Sequence, residues 1–207
     1  MSEQRSLSGL GDAIRALLAW SETSNVQMVI IGGVAVSILS KPRTTKDVDA
    51  VVWLPHHDTW PAFLLGGERH GIVPRIQDAL AFALSSRVLL LRHEASGVPI
   101  DLSMGALPFE ENAVQRAVAM EVGGLRVPLP VPEDLLVMKA VAHRARDLVD
   151  IESILAAHPS VDEKWVVATV REFAEALDSP ELVTDLVKLF RKRGPAKIEK
   201  KPRSRKR

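Results

Sequence analysis

Between Gln27 and Leu54 the chain carries one unit that narrows its possible folds more than any other stretch. A short, β-branched apolar run from Gln27 to Ile31 ends abruptly at Gly32-Gly33 and reads as a buried strand. Val34 to Leu39 then reads as a helix stopped by Pro42, and Val48 to Leu54 as a second buried strand closed by Pro55. Strand, paired glycines, helix and strand in succession imply a mixed α/β layer. The same unit implies chemistry. A strand that runs through glycines into a helix presents backbone N–H groups at a helix N-terminus, which suits a phosphate. Asp47 and Asp49, two apart on a strand, point to one face. Two carboxylates beside a phosphate cradle are a way to hold hard divalent cations for phosphoryl or nucleotidyl chemistry.

Neither feature is specific alone, since paired glycines are common and Asp47 by itself reads equally as a turn or cap residue. A third acid changes the weighing. Asp101 lies inside the apolar run Val98-Pro-Ile-Asp-Leu-Ser103. A carboxylate flanked by Ile100 and Leu102 belongs on the polar face of a sheet, because an unpaired buried charge is costly. By itself it reads equally as a solvent-facing residue of an edge strand. With Asp47 and Asp49 it makes three carboxylates that two strands can bring around a pair of ions, and clustered acids mark sites. Arg43, Thr44, Thr45 and Lys46 precede Asp47 and are placed to steady phosphates, although a basic loop before a strand is ordinary.

The remainder of the chain supports an α/β (α+β) domain followed by helices. Residues 8–23 fit an amphipathic helix, with Leu10, Ile14, Leu17 and Leu18 at helical spacing. Helices are expected over 57–65 and 109–117, while 66–85 is broken by Gly66-Gly67, Gly71 and Pro74 and has no clear period. Ser86–Arg92 and Val98–Ser103 read as strands joined by a hairpin, as do Ala119–Val122 and Leu125–Leu129 around Gly123-Gly124. After Pro130 the texture becomes helical, with three or four segments broken near His158-Pro159 and Asp178-Ser-Pro180. The expected division is a core over 1–130, a helical part over 131–190 and a basic disordered tail over 191–207.

Composition excludes several classes. Of 207 residues, 46% are hydrophobic, enough to bury a core. The absence of Cys excludes a disulfide scaffold, a thiolate metal site and a catalytic cysteine. The apolar run from Gln27 to Leu39 is too short to span a bilayer, and Glu3, Arg5, Asp12 and Arg15 interrupt the place of a signal-peptide core. A cytoplasmic protein with no membrane partner is the expectation. The net charge of +1 hides an asymmetry: from Lys188 onward eleven Lys and Arg stand against Glu199 alone, while the body is acidic. Such a tail is either a solubilising end or a tether for a polyanion such as RNA.

No phosphate-binding Gly-x-x-x-x-Gly-Lys-Ser/Thr loop and no dinucleotide Gly-x-Gly-x-x-Gly fingerprint occurs. Ser37, Ser40 and Ser103 have no interpretable His and acid partners. The six His, including His56-His57, lack zinc-ligand spacing and read as surface residues. Trp20, Trp53, Trp60 and Trp165 read most simply as core or interface residues.

The pattern Gly32-Gly33, Arg43-Thr-Thr-Lys-Asp-Val-Asp49 and the strand acid Asp101 resembles the nucleotidyltransferase fold of the DNA polymerase β superfamily. More narrowly it resembles the AbiEii/AbiGii-type nucleotidyltransferases, many of which are toxins of toxin–antitoxin pairs. The resemblance implies that Asp47, Asp49 and Asp101 bind Mg²⁺, two ions in all. The residue after the first glycine is often Ser in that superfamily and contacts the triphosphate. Here it is Gly33, so the contact would fall to backbone N–H groups. A second match, Pro132 to Asp150, implies Lys139, Arg144, Asp147 and Asp150 as nucleotide-site residues. The spacing of Lys139, His143, Asp147 and Asp150 would line them along one helix or a closely coupled pair, and a Lys there can reach triphosphate oxygens. The alternative is a solvated face of salt bridges. The resemblance spans roughly residues 28–155.

The expected activity is Mg²⁺-dependent transfer of a nucleoside monophosphate from an NTP, such as ATP, to a hydroxyl acceptor on tRNA, another RNA or a protein. Asp47 and Asp49 would hold the ions, Asp101 would bind one and help deprotonate the hydroxyl, and Gly32, Gly33, Arg43, Thr45, Lys46 and Lys139 would hold the nucleotide. An antitoxin protein is an expected partner. The alternatives are a non-catalytic binding protein of the same fold, and a metal-dependent phosphohydrolase or nuclease using water as nucleophile.

Overall fold

In the computed structural model, which describes residues 2–193 and side chains from Ser8 onward, the Gly-Gly unit forms as the sequence implies. Strand β1 (Met28–Ile31) runs into helix α2 (Gly32–Leu39), and β2 (Val48–Val52) returns antiparallel to β1. Helix α1 (Ser2–Thr23) precedes them. A 3₁₀ turn at His57–Thr59 leads into α3 (Trp60–Glu68), where Pro61 lies in the first turn, at which a missing N–H is tolerated. The stretch without period over 66–85 resolves into β3 (Ile72–Pro74) and α4 (Ala79–Ser86). Strands β4 (Val88–His93) and β5 (Pro99–Met104) make the expected hairpin. The fourth strand therefore starts two residues later than expected, because Ser86 ends α4 and Arg87 turns the chain at φ 60°. Then come α5 (Pro108–Gln115), β6 (Val118–Val122) and β7 (Leu125–Leu129), the last two a separate two-stranded sheet.

The main sheet has the order β1-β2-β5-β4-β3. β2 and β5 run parallel while every other pair is antiparallel. One face is apolar: Met28, Ile30, Val48, Ala50, Val52, Leu89, Leu91, Ile100, Leu102 and Met104 are buried. The helices contribute Ala13, Leu17, Trp20, Trp60 and Phe63 to the core. Trp20 and Phe63 stack with ring centroids 4.2 Å apart, and the Trp20 indole N–H donates to the Phe63 carbonyl. Trp20 and Trp60 are thus core residues, whereas Trp53 and Trp165 are partly buried and His56 and His57 are exposed. The opposite face is divided. At one end Val29 and Val51 pack on Val114 of α5; at the other lie Asp49 and Asp101.

The chain divides into two compact units, Met1–Leu135 and Leu136–Arg207. The second holds the helices expected after Pro130: α6 (Pro132–Ala142, which begins in the first unit), α7 (Ala145–Ala157), α8 (Glu163–Ala176) and α9 (Glu181–Arg193). Breaks fall at His158-Pro159 and Asp178-Ser-Pro180, where Pro cannot continue the preceding helix. Acids in the first turns of α6 and α9 and Arg191, Lys192 and Arg193 in the last turn of α9 complement the helix dipoles. The tail expected from residue 191 thus begins inside α9, and residues 194–207 lie outside the described residues. No helix among the described residues is long and apolar enough to cross a membrane.

Candidate active site

Strand pairing builds the acid row. Asp49 on β2 stands directly beside Asp101 on β5, in register, so the two side chains leave the same face of neighbouring strands. The row continues to Ile31 on the β1 side and Leu90 on the β4 side. Asp47 lies just ahead of β2 rather than within it. Its Oδ1 accepts a 2.8 Å hydrogen bond from the Thr45 hydroxyl, which ties the basic loop to the first acid.

The glycines are shaped by their neighbours. Gly32 has φ +61°, a left-handed conformation that favours glycine. A Cβ there would stand 1.9 Å from Asp49 Oδ2, so the Asp49 carboxylate occupies the space a side chain would need. A Cβ on Gly33 would stand 2.5 Å from the Thr45 hydroxyl oxygen and 3.0 Å from an Arg43 guanidinium nitrogen. Where a serine side chain would project from position 33, this chain already has Thr45 and Arg43. Lys46 is exposed. A cleft of about 660 Å³ adjoins this cradle between α1, α2 and the β6–β7 hairpin; Arg43 and Thr45 line it together with apolar Ile14, Val34 and Ile38.

Asp101 has a partner that sequence reasoning missed. Arg75 Nη2 reaches its Oδ1 at 2.7 Å. The approach is not aligned as a hydrogen bond, so this buried oxygen has no directed donor. Burial pushes the Asp101 carboxyl above the ordinary aspartate range; the Arg75 charge pulls it down and the nearby Asp47 charge pushes it up. Arg75 follows Pro74 in the stretch without period, and a lone arginine in a broken segment carries no sequence signal.

Among the described residues, no three carboxylates or imidazoles already converge closely enough to hold one ion. Asp47 is bonded to Thr45, Asp49 packs on Gly32, and Asp101 is paired with Arg75. The donor set nonetheless fits a hard divalent cation: carboxylate oxygens side by side on one sheet face, one of them buried without a directed donor.

The second motif forms a closed charge cluster within its own unit. The Lys139 ammonium lies 2.8 Å from Asp147 and 3.0 Å from Asp150, and all three side chains are buried. His143 at φ 48° separates α6 from α7, so two helices, not one continuous face, carry the motif. Arg144 bonds Asp147 through Nε at 2.6 Å, and its backbone N–H also donates to Asp147, capping α7. Burial opposes ionisation of Asp147, but the bonds from Arg144 and Lys139 outweigh it and hold the carboxyl below its usual range. The motif is therefore not a solvated face, although Arg144 itself remains exposed.

In its fold the chain is similar to an antigenic nucleotidyltransferase-like protein from Paracoccidioides brasiliensis. That match has 20% identity, a TM-score of 0.52, and covers 84% of this chain and 90% of the other. It is also similar to the antibiotic-resistance factor ANT(2'')-Ia, at 16% identity and a TM-score of 0.53, covering 81% of this chain and 92% of that one. No curated protein matches the chain in sequence. The model of the family described as nucleotidyl transferase AbiEii toxin, type IV TA system, matches residues 15–205. With that match spanning nearly the whole chain, over a mixed sheet that bears the acid row, the protein belongs to the AbiEii nucleotidyltransferase toxin family.

Proposed function

We propose that the protein transfers a nucleoside monophosphate from an NTP, such as ATP, to a hydroxyl on an RNA such as tRNA, or on a protein, with Mg²⁺ bound at the acid row. The observation that carries this reading is the in-register pairing of Asp49 with Asp101 beside the Gly32 turn. In the reaction the acceptor oxygen bonds to the α-phosphorus, the bond to the bridging oxygen breaks, and pyrophosphate leaves. Asp47, Asp49 and Asp101 supply the oxygens that would hold two Mg²⁺ ions. When bound, those ions would neutralise phosphate charge and lower the pKa of the attacking hydroxyl. Asp101 accepts the hydroxyl proton. Backbone N–H groups at Gly32 and Gly33 face the phosphates from the start of α2, and Arg43, Thr45 and Lys46 add charge and a hydroxyl on the loop side. The chemistry needs positioning and charge neutralisation rather than a covalent intermediate, so these groups suffice.

Lys139, Arg144, Asp147 and Asp150 complete the proposal as the second motif. Lys139 is the cation of this motif and keeps a third ammonium N–H beyond its two carboxylates, so we assign it nucleotide contact, with Arg144 keeping Asp147 neutralised. As a member of a toxin–antitoxin family, the protein has an antitoxin as its counterpart, which we propose suppresses this transfer.

Purified protein incubated with labelled NTPs, Mg²⁺ and total tRNA or cell protein tests the reading. Label should enter the acceptor with release of pyrophosphate. Asp49→Ala should abolish transfer while the fold persists by circular dichroism. Near-wild-type transfer by folded Asp49→Ala would remove the assignment; release of free nucleotide without labelled acceptor would indicate a phosphohydrolase.

A further inference from the structure

Arg75 lies at the far end of the acid row. Its backbone N–H donates to the Leu90 carbonyl at 3.0 Å, which extends the β3–β4 pairing by one residue beyond Pro74. Leu90 is the register partner of Asp101, and Asp101 is the partner of Asp49. Across the sheet the order is Asp49, Asp101, Leu90, Arg75. The guanidinium spans the Leu90 position to meet Asp101, whose other register neighbour is Asp49. Both partners are partly exposed, the Arg75 side chain 29% and Asp101 36%.

We propose that Arg75 is an internal counter-ion for the third acid: it holds Asp101 in the ion-free protein, and a divalent cation entering the acid row must displace it. Three observations support the displacement. Asp101 gives a carboxylate oxygen to Arg75 while its register neighbour on the other side is a second acid, Asp49. The contact joins two partly exposed side chains, so a cation that takes the carboxylate breaks an ion pair of the weak, solvent-screened kind. The nearby Asp47 charge opposes ionisation of Asp101 and the Arg75 charge favours it, so Arg75 offsets repulsion within the acid row. Arg75 thereby sets how readily the row takes up a cation before nucleotide arrives.

The inference rests on the metal-binding reading of the acids, and the experiment separates the two. Mn²⁺ binding to the full chain without nucleotide is followed by electron paramagnetic resonance of the free ion. Arg75→Gln should bind Mn²⁺ about fivefold more tightly, the equivalent of ~1 kcal/mol and the upper range for a partly exposed ion pair. Arg75→Lys, which keeps the charge, should stay near wild type. In an Asp101→Asn background the Arg75→Gln gain should vanish. A merely structural role predicts the opposite sign, since damage to the site weakens binding. Unchanged or weaker Mn²⁺ binding by folded Arg75→Gln overturns the inference, as does an equal gain in the Asp101→Asn background. A wild-type protein that takes up no Mn²⁺ removes the metal reading of the acids, and this inference with it.

Discussion

Replacing Gly32 with Ala couples a backbone conformation to Asp49, an acid of the proposed active site. At φ +61° an L-residue with a Cβ is disfavoured by ~1–2 kcal/mol. The added methyl would also stand 1.9 Å from Asp49 Oδ2, 2.6 Å from its Cγ and 2.7 Å from its Cβ. Rotating the carboxylate away relieves the first two contacts and leaves the third, so the strand or the turn must shift as well. Adding ~1 kcal/mol for the displaced rotamer gives a total loss of ~2–3 kcal/mol. At ~2–4 °C per kcal/mol for a chain of this size, the melting temperature should fall by about 4–12 °C. Activity should fall further than stability, because a carboxylate moved by ~1 Å from a transition-state site costs about a hundredfold. Gly33→Ala is the control. Its Cβ would meet the Thr45 side chain, so nucleotide KM should rise with a smaller loss of kcat. Thermal melts and labelled-NTP transfer on the two variants decide the matter. A Gly32→Ala protein that melts lower but transfers within about twofold of wild type would refute the link between the turn and Asp49.

Lys139→Ala removes the cation between two buried carboxylates and should destabilise the second unit by ~3–5 kcal/mol in urea titrations. A loss below ~1 kcal/mol would show that the cluster rehydrates freely. In the protein that remains folded, KM for NTP should rise more than kcat falls; if both are unchanged, Lys139 has no part in nucleotide binding. Acid should loosen the same cluster. Because the folded Asp147 carboxyl sits below its unfolded value of about 3.9, its stabilisation is complete above that pH and is lost as pH falls through the folded value. Asp147→Asn should therefore be less stable at pH 7 and show a shallower acid-unfolding limb than wild type, and parallel limbs would contradict this. Truncation after Gly194 removes seven basic residues and Glu199. If the tail tethers RNA, the salt slope of binding should drop by about 0.7 for each RNA phosphate that the truncated protein leaves unneutralised; identical slopes would leave a solubilising end.

What the residue order settles is local. The Gly-Gly turn, the helix stopped at Pro42, the Asp-x-Asp pair and the proline-broken helices after Pro130 follow from backbone freedom, missing donors and side-chain period. Each of these signals is complete within about a dozen residues. The three-residue strand β3 and helix α4 escape such reading, since Gly71 and Pro74 interrupt the pattern and Asp78, just ahead of α4, adopts φ 55° with no side-chain cap. That Asp101 belongs on a polar face is legible from Ile100 and Leu102. That it stands beside Asp49 is not, because parallel pairing of strands some fifty residues apart depends on every crossover between them. Arg75 meets Asp101 only because β3 and β4 close the same sheet. Lys139 has the spacing of a surface ion pair, yet it is buried because the corner at His143 folds α7 so that Asp147 and Asp150 return to it. Charge pairing across a turn and register across a sheet are long-range outcomes, decided when the hydrophobic faces pack and not before.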